Sequence, residues 1–342
     1  MLIDYAAEKI INSRMGEFAD KLNESQAPNK IFLYFGIYVV DDPTLGINPV
    51  YDRAQIARRS IENSSERHFA FYDHEIHDRL THQKDIEDRM ASALKNQEFA
   101  VYLQPKYHLQ TGTFKGSEAL ARWRDDAGNI LPPSEFIDIF EKNGFIRQLD
   151  MYVFEVVCKA IHDNADNAHF KSALPISVNI SRKHFISMEF IDKLVEISDR
   201  YGVPRQRLEL EITETAFIEF INDNFLVDTL MKAKEKGFGI SLDDFGSGYT
   251  SLAMVAEFPL DTIKIDRVFL LSPRKHKILA KVIDIAKFLN MHVVCEGIDC
   301  QEQAEMITQF GCDTAQGFYF ARPLPIESYN DWAATAGSPP SR

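Results

Sequence analysis

The chain has 342 residues and a formal net charge of −13, with 45% hydrophobic and 26% charged residues. This composition is globular and excludes a disordered or fibrous protein, and the length suits two domains or one barrel with an appendage. The acidic charge argues against binding of long nucleic acid, which needs a basic surface. It is compatible with a small anionic ligand, because bound cations can reverse the local field.

The sequence carries no signal of membrane insertion or of a disulfide framework. No apolar run approaches the roughly 20 residues that cross a bilayer, and the start of the chain, MLIDYAAEKI, lacks the order of a signal peptide. The four cysteines form no CxxC pair, so we expect reduced thiols rather than structural zinc. We therefore expect a cytoplasmic protein with no membrane segment.

Residues 1–83 predict a small, partial α+β domain. Residues 30–40 have the β-branched and aromatic content of a strand, a turn cluster follows, and residues 51–63 have helical spacing. Residues 68–73 predict a second strand. From 74 to 97, apolar residues recur at helical spacing among charges, which predicts a long amphipathic connector. We place the start of the second domain, residues 84–342, inside this connector.

From Phe99 onward, strands alternate with helices. The first two strands are separated by a short turn, which favours an antiparallel hairpin. We expect Ser134 to be a helix N-cap, and Gly144 and Gly202 to be C-caps. Six further strands are predicted at PISVNIS, LELEIT, FGISLDD, TIKID, HVVCEGI and AQGFYF. Eight such strands predict an α/β barrel of the (β/α)8 type, whose site lies at the carboxyl ends of the strands.

Acid and amide groups interrupt or end these apolar runs. Such groups need a partner, because an unpaired buried charge costs several kcal/mol. Four of them come from four different strands and are hard oxygen ligands that suit Mg²⁺ or Mn²⁺: Glu118, Asn179, Glu211 and Asp243. Asp244 makes a second metal site possible where the strand ends and its backbone turns, and we expect the following GSG to supply that turn. Two ions that share Asp243 would activate water against a phosphodiester.

Other side chains suit contacts with a phosphate or with the attacking water. Arg122, four residues after Glu118 and on the same strand face, would form a forked contact with a phosphate. Lys264 would orient the water or stabilise the transition state. Glu296 and Gln316, from the last two strands, would contact the second metal, the water or the substrate.

Several residues have structural interpretations that we prefer. Glu214 is expected to pair with the loop DDFGSGYTSL, as a supporting group. Trp123 and the phenylalanines of GFYF are expected in the core. His184 and His292 are expected to be satisfied or surface histidines, because nothing at metal-ligand spacing accompanies them.

Taken together and in order, several stretches resemble the EAL family of cyclic-di-GMP phosphodiesterases, over residues 84–330. The stretches are LQPKYHLQTG, SEALARW, SVNIS, ELEITE, LDDFGSGYTSL, IKIDRVFL, VVCEGI and AQGFYFARPLP. The resemblance implies a modified (β/α)8 TIM-type barrel with one antiparallel strand. It also implies hydrolysis of cyclic di-GMP to linear 5'-pGpG with two ions of Mg²⁺ or Mn²⁺.

The same resemblance implies roles for individual residues. The first metal would be held by Glu118, Asn179, Glu211 and Asp243, and the second by Asp243 and Asp244. Water and phosphate contacts match Lys264, Glu296 and Gln316, the acid that steadies the loop matches Glu214, and substrate contacts match Gln104, Leu120 and Arg122. Guanine contacts are expected by position at Asp266 and Pro323. EGID replaces the common EGVE, so Asp299 is a methylene shorter and loop support is affected.

The first 80 or so residues resemble the carboxyl half of a GGDEF diguanylate-cyclase domain. The resemblance rests on FGIYVVDDP, INPVYDRAQIARRSI and FAFYD, whereas the signature loop is missing. Gly16, Glu17 and Phe18 match its letters by coincidence, because they lie too close to the following strand. We therefore expect a catalytically incompetent segment.

Two other function classes remain open at this point. The barrel is compatible with a noncatalytic receptor that binds cyclic di-GMP and passes a signal through residues 74–97. It is also compatible with a partner-binding module whose acids are vestigial. The complete acid set favours the hydrolase. By resemblance, we also expect a homodimer that pairs near the DDFGSG loop.

Overall fold

A computed structural model describes residues 34–62, 68–125, 128–219, 224–247 and 255–335, together with Arg14. Gly16, Glu17 and Phe18 lie outside the described residues, as does the part of the DDFGSGYTSL loop after Ser247. The chain divides into two compact units, Met1–Ala91 and Ser92–Arg342. In the described part of the chain, no helix is long and apolar enough to cross a membrane.

The first unit contains two short parallel strands, β1 (Phe35–Ile37) and β2 (Phe69–Phe71), and helix α1 (Ile47–Arg59). Helix α1 begins four residues before the predicted start. Gly36 lies so close to α1 that an added Cβ would overlap its backbone, so glycine is required there. The predicted connector is confirmed as helix α2 (His74–Lys95).

The described part of the second unit is built on a sheet that closes into a barrel. Its strands are β3 (Phe99–His108), β4 (Thr113–Arg124), β5 (Ile130–Leu131), β6 (Ile176–Asn179), β7 (Leu208–Thr213), β8 (Gly239–Phe245), β9 (Thr262–Ile265), β10 (His292–Cys295), β11 (Thr314–Ala315) and β12 (Leu324–Pro325). Strands β5 and β12 are short additions to β4 and β3. The other eight strands form the barrel.

Strand β3 is the antiparallel member of the barrel. It pairs antiparallel with β4 on one side and with β11 on the other. The pairings from β4 through β6, β7, β8, β9 and β10 to β11 are parallel. The predicted (β/α)8 barrel with one antiparallel strand is therefore confirmed.

Helices connect the barrel strands and cover the outside of the barrel. They are α3 (Ile137–Asn143), α4 (Ile146–Asp163), α5 (Glu189–Arg200), α6 (Glu214–Glu219), α7 (Asn224–Glu235), α8 (Pro273–Phe288), α9 (Gln301–Gln309) and α10 (Tyr329–Thr335). Gly144 ends α3 with φ of 81°, and Gly202 with φ of 63° follows the C-cap of α5. The N-cap prediction was wrong, because Ser134 lies inside a 3-10 turn and α3 begins at Ile137.

Alternation along the strands explains why polar groups collect inside the barrel. In β7, Leu208, Leu210 and Ile212 alternate with Glu209 and Glu211, and all five residues are buried. Successive side chains of a strand point to opposite faces. The apolar set therefore faces one side of the sheet and the two acids share the other, where both lie near the same lysine.

Candidate active site

A lysine lies at the centre of the polar cluster in the barrel. Lys264, on β9, is 1% exposed, and its Nζ lies 2.9 Å from Asp243 Oδ1 and 2.9 Å from Glu296 Oε1. The same atom lies 3.0 Å from Glu211 Oε2 and 3.1 Å from Glu118 Oε2. The acids belong to β4, β7, β8 and the residue after β10, so the closed barrel brings together residues far apart in sequence. One ammonium cannot neutralise four carboxylates, three of which are buried.

The acids form two overlapping clusters of ligand size. Carboxylate oxygens of Glu118, Glu211 and Asp243 lie within 4.8 Å of one another, and so do those of Asp243, Asp244 and Glu296. Asn179 adds its amide beside the first cluster, with Nδ2 3.1 Å from Glu118 Oε1. An all-oxygen donor set fits Mg²⁺ or Mn²⁺. The residues present thus fit two neighbouring cations with Asp243 in common.

A β-bulge turns both aspartates toward the same place. The pairing of β8 with β9 shifts register between Leu242 and Phe245, and Asp244 has φ of 57°, in the left-handed region. A bulge inserts an extra residue and re-aims the side chains next to it. The turn that the two-metal arrangement requires is therefore made by Asp244 itself, before the glycines of GSG.

The acids of the cluster differ in the direction in which their pKa values are shifted. Burial raises the pKa of Asp243 well above its usual range despite the opposing effect of Lys264. Burial likewise raises the pKa of Glu296 to about 7. Burial acts in the same direction on Glu211, but Lys264 and Lys106 outweigh it and lower the pKa of that carboxyl to about 2. Glu211 is thus a charged carboxylate at neutral pH.

Lys106 is a buried cation that the sequence analysis missed. Its Nζ donates to Ser177 Oγ at 2.8 Å and to Glu211 Oε1 at 3.1 Å, and lies 3.6 Å from Glu209 Oε2. The run FAVYLQPKYHL predicts a strand of the antiparallel hairpin, without a role for its lysine. The sequence could have indicated that Lys106 faces the site, because it lies two residues after Gln104, a predicted substrate contact, and thus on the same face of the strand.

Beside the acids lies a cavity of about 290 Å³. Eight predicted site residues line it: Gln104, Glu118, Leu120, Asp243, Asp244, Lys264, Glu296 and Gln316. It is also lined by Arg267, Gly297, Asp299, Gly317 and Phe318, which were not predicted as site residues. The prediction that Phe318 is a core residue was wrong, because its side chain is 54% exposed. Trp123 and Phe320 are buried, as predicted.

Two glutamines join the acids to the cavity wall. Gln316 Nε2 donates to Glu118 Oε2 at 2.6 Å and to Gln104 Oε1 at 3.2 Å. Gln316 Oε1 is buried and accepts no hydrogen bond from the described residues. A buried acceptor of this kind requires a donor, such as a water molecule or a ligand in the cavity.

Glu214 and Asp266 contact backbone rather than line the cavity. Glu214, at the start of α6, is 1% exposed, and its Oε2 accepts a hydrogen bond from Gly246 N at 2.8 Å, at the root of the DDFGSG loop. Asp266 caps the 3-10 turn Arg267–Leu270 by accepting from Val268 N at 2.7 Å.

Arg122 and Pro323 also lie outside the set of residues that line the cavity. Arg122 is partly buried, donates to Ala121 O at 2.8 Å, and its guanidinium lies 5.7 Å from the centre of the Tyr102 ring. Pro323 is partly exposed.

The two histidines are satisfied, as predicted. His184 is buried, with Nε2 3.2 Å from Asp150 Oδ2, and His292 Nε2 lies 2.8 Å from Thr314 Oγ1.

Comparison with known proteins identifies the family to which the barrel belongs. A family model described as the EAL domain matches residues 87–323, more than half of the chain. The cyclic di-GMP phosphodiesterase NbdA of Pseudomonas aeruginosa is 31% identical over 266 residues, which are 77% of this chain and 34% of that protein. The oxygen sensor protein DosP of Escherichia coli is 32% identical over 72% of this chain and 31% of its own length. The chain thus spans about a third of these curated relatives.

Solved structures agree with this relationship. The PaMucR phosphodiesterase in complex with c-di-GMP is 29% identical, covers 71% of this chain and 99% of its own, and gives a TM-score of 0.66. The EAL enzyme Bd1971 in its cAMP-bound form is 26% identical over 73% of this chain and 70% of its own, with a TM-score of 0.68. By its fold, its acidic clusters and the matched residues 87–323, the chain belongs to the EAL-domain family.

Proposed function

We propose that this chain hydrolyses one phosphodiester bond of cyclic di-GMP and releases linear 5'-pGpG. The observation that carries the proposal is the pair of acid clusters that share Asp243 inside the barrel. Similarity to NbdA and to the PaMucR complex supports the choice of cyclic di-GMP as substrate.

The acids would hold two ions of Mg²⁺ or Mn²⁺. Glu118, Asn179, Glu211 and Asp243 would bind the first, and Asp243, Asp244 and Glu296 the second. When bound, such ions supply charge neutralisation at the phosphate and activation of water. The remaining steps depend on side chains of this chain.

Lys264 and Gln316 would orient the reactants. Lys264 Nζ contacts four acids and has three donors, so it would retain a donor for water or phosphate once a cation neutralises part of the cluster. Gln316 Oε1, which accepts no hydrogen bond from the described residues, would accept a hydrogen bond from the attacking water. These contacts would align the water with the phosphorus.

Substrate contacts would come from the cavity wall and its surroundings. Gln104 and Leu120 line the cavity, and we propose them as substrate contacts. Arg122 would reach a phosphate after a change of side-chain conformation, since it now donates to a backbone carbonyl. Asp266 and Pro323 are proposed for guanine, with Asp266 acting from its capping position.

Chromatography of cyclic di-GMP after incubation with the purified chain and Mg²⁺ or Mn²⁺ tests the proposal. We expect pGpG with the unmodified chain and none with Glu118→Ala or Glu211→Gln, whose fold is checked by circular dichroism. Undiminished turnover by Glu211→Gln would contradict the assignment. Binding of the intact dinucleotide in the presence of metal would instead select the receptor function.

We propose that the first unit corresponds to the carboxyl half of a GGDEF-like domain without cyclase activity. Its parallel strands and intervening helix support a compact α+β unit. Formation of cyclic di-GMP from GTP by the purified chain would refute this proposal.

We also propose a homodimer formed near the DDFGSG loop. Apolar side chains are exposed on and just before α8, with Leu271 at 71%, Ile278 at 54% and Phe288 at 85%. An added Cβ on Gly246 would overlap the Phe269 ring, so the segment before α8 packs against this loop. Light scattering should give twice the chain mass, and Leu271→Glu, two residues after Phe269, should shift it toward the monomer. A monomer at all concentrations would exclude the dimer.

A further inference from the structure

A second ion-pair layer lies beside the acid clusters. Lys106 reaches Glu211 Oε1, whereas Lys264 reaches Glu211 Oε2. Both lysines are buried, at 5% and 1% exposure, and Glu211 is fully buried. Each oxygen of this carboxylate therefore has its own ammonium partner.

The two lysines differ in what else they contact. Lys264 contacts every acid of the cluster except Asp244, so a cation that enters among them competes with it directly. The ion pairs of Lys106 are with Glu209 and Glu211, and its remaining hydrogen bond is to Ser177 Oγ at 2.8 Å. Its contact with Glu211 does not depend on the space between Glu118 and Asp243.

This division gives Lys106 a specific task. When a donor holds one oxygen of a carboxylate, the other oxygen points in a defined direction. Residues that contact metal ligands commonly orient those ligands in this way. We propose that Lys106 is a positioning residue that fixes Glu211 Oε1, so that Glu211 Oε2 is oriented toward a divalent cation bound by Glu118 and Asp243. The inference rests on the proposed function because it assumes a metal in the acid cluster.

A purely structural role is the alternative. Lys106 also neutralises Glu209, which is 8% exposed. If Lys106 serves the barrel interior as a whole, loss of either ion pair should have the same effect. Among the described residues, Glu209 pairs with Lys106 and is not one of the acids that pair with Lys264. Glu209→Gln therefore removes an ion pair of Lys106 outside the acid cluster and is the matched control for Lys106→Met.

Mn²⁺ binding without nucleotide tests the inference. Electron paramagnetic resonance reports free Mn²⁺, and titration gives the dissociation constant of each variant. Loss of a residue that orients a metal ligand typically weakens metal binding about 10- to 100-fold. We expect Lys106→Met to raise the Mn²⁺ dissociation constant at least tenfold, and Glu209→Gln to leave it within about twofold.

Turnover separates positioning from chemistry. For Lys106→Met at saturating Mn²⁺, we expect kcat within a few-fold of the unmodified chain, because the lysine does not touch the reacting atoms. If Lys106→Met does not fold, Lys106→Gln retains a donor toward Glu211 without the charge, and an intermediate loss of Mn²⁺ affinity is expected.

Equal weakening by Lys106→Met and Glu209→Gln, or unchanged Mn²⁺ affinity in the folded lysine variants, would overturn the inference. Failure of the proposed function gives a different result. In that case the unmodified chain binds Mn²⁺ without releasing pGpG, and the comparison of Mn²⁺ affinities still decides the role of Lys106. An unmodified chain that binds no Mn²⁺ overturns both.

Discussion

Asp244 combines an acidic side chain with a left-handed backbone, and the proposed site uses both. Its φ is 57°, and its N–H donates to Asp243 Oδ1 at 3.0 Å. Left-handed φ costs most side chains roughly 1–2 kcal/mol, whereas Asn and Asp adopt it more readily. Glycine would adopt this backbone but would remove the carboxylate. The residue type thus meets a conformational and a chemical requirement at one position.

The backbone and the carboxylate of Asp244 can be tested separately. Asp244→Asn keeps a side chain that tolerates left-handed φ, so its free energy of unfolding should lie within about 0.5 kcal/mol of the unmodified chain, while Asp244→Ala should lose roughly 1 kcal/mol. Both variants should reduce pGpG formation on the order of 100-fold, because losing a proposed metal ligand should cost at least as much as losing a residue that orients one. Urea unfolding and chromatography give the two quantities. Normal turnover by the asparagine variant would show that the carboxylate is not needed.

Phe318 lines the cavity with an exposed aromatic side chain, and the Arg322 guanidinium lies over its ring, 4.3 Å from the centroid. Base stacking on an aromatic side chain contributes about 1–3 kcal/mol when tested by alanine substitution. Phe318→Ala should therefore raise KM for cyclic di-GMP about tenfold with little change in kcat. Phe318→Tyr keeps the ring and should retain the normal KM. If the alanine variant also has the normal KM, the ring does not contact a base.

At the scale of strands and loops, the apolar runs that are interrupted or ended by acid and amide groups were enough to predict much of the site. The pattern of LELEIT places Glu211 inside the barrel, and the acid-ended runs predict the cluster around Asp243. Lys106 was missed because the hairpin prediction gives its charge no partner. The partners are Glu209 and Glu211, which are distant in sequence. Phe318 was missed because exposure depends on how β11 and the following segment close the barrel.

The start of α6 supports the loop that follows β8. Glu214→Ala removes the acceptor for Gly246 N–H, and a hydrogen bond to a charged group contributes about 1.5–3 kcal/mol. We expect kcat to fall on the order of tenfold, because the backbone that follows Asp244 loses its support. Glu214→Gln keeps an amide oxygen and should stay within a few-fold. Equal losses in both variants would point to the charge rather than to the hydrogen bond.

For the whole molecule, the sequence predicts the barrel and its antiparallel strand better than the details of the first unit. Eight strand-like runs that alternate with helices define a closed sheet because each element must bury an apolar face. The first unit has short strands, of three residues each, and α1 extends beyond its periodic segment. Short elements depend more on their surroundings than on their own pattern.

If the buried acids bind metal as proposed, the stability of the second unit should depend on metal. A ligand that binds the folded state at about 100 times its dissociation constant adds about 2.7 kcal/mol to the free energy of unfolding. For a unit of this size, that corresponds to a rise in Tm of about 5–10 °C. Both tryptophans, Trp123 and Trp332, belong to the second unit, so tryptophan fluorescence follows its unfolding alone.

We therefore expect Mn²⁺ to raise the Tm measured by tryptophan fluorescence, and an excess of chelator to reverse the rise. Asp243→Asn removes the acid common to both clusters and should abolish most of the shift. Without metal, the same variant should melt no lower than the unmodified chain, because burial already penalises the charged form of Asp243. A Tm that is independent of Mn²⁺ in the unmodified chain, or an equal rise in Asp243→Asn, would contradict metal binding by the shared acid.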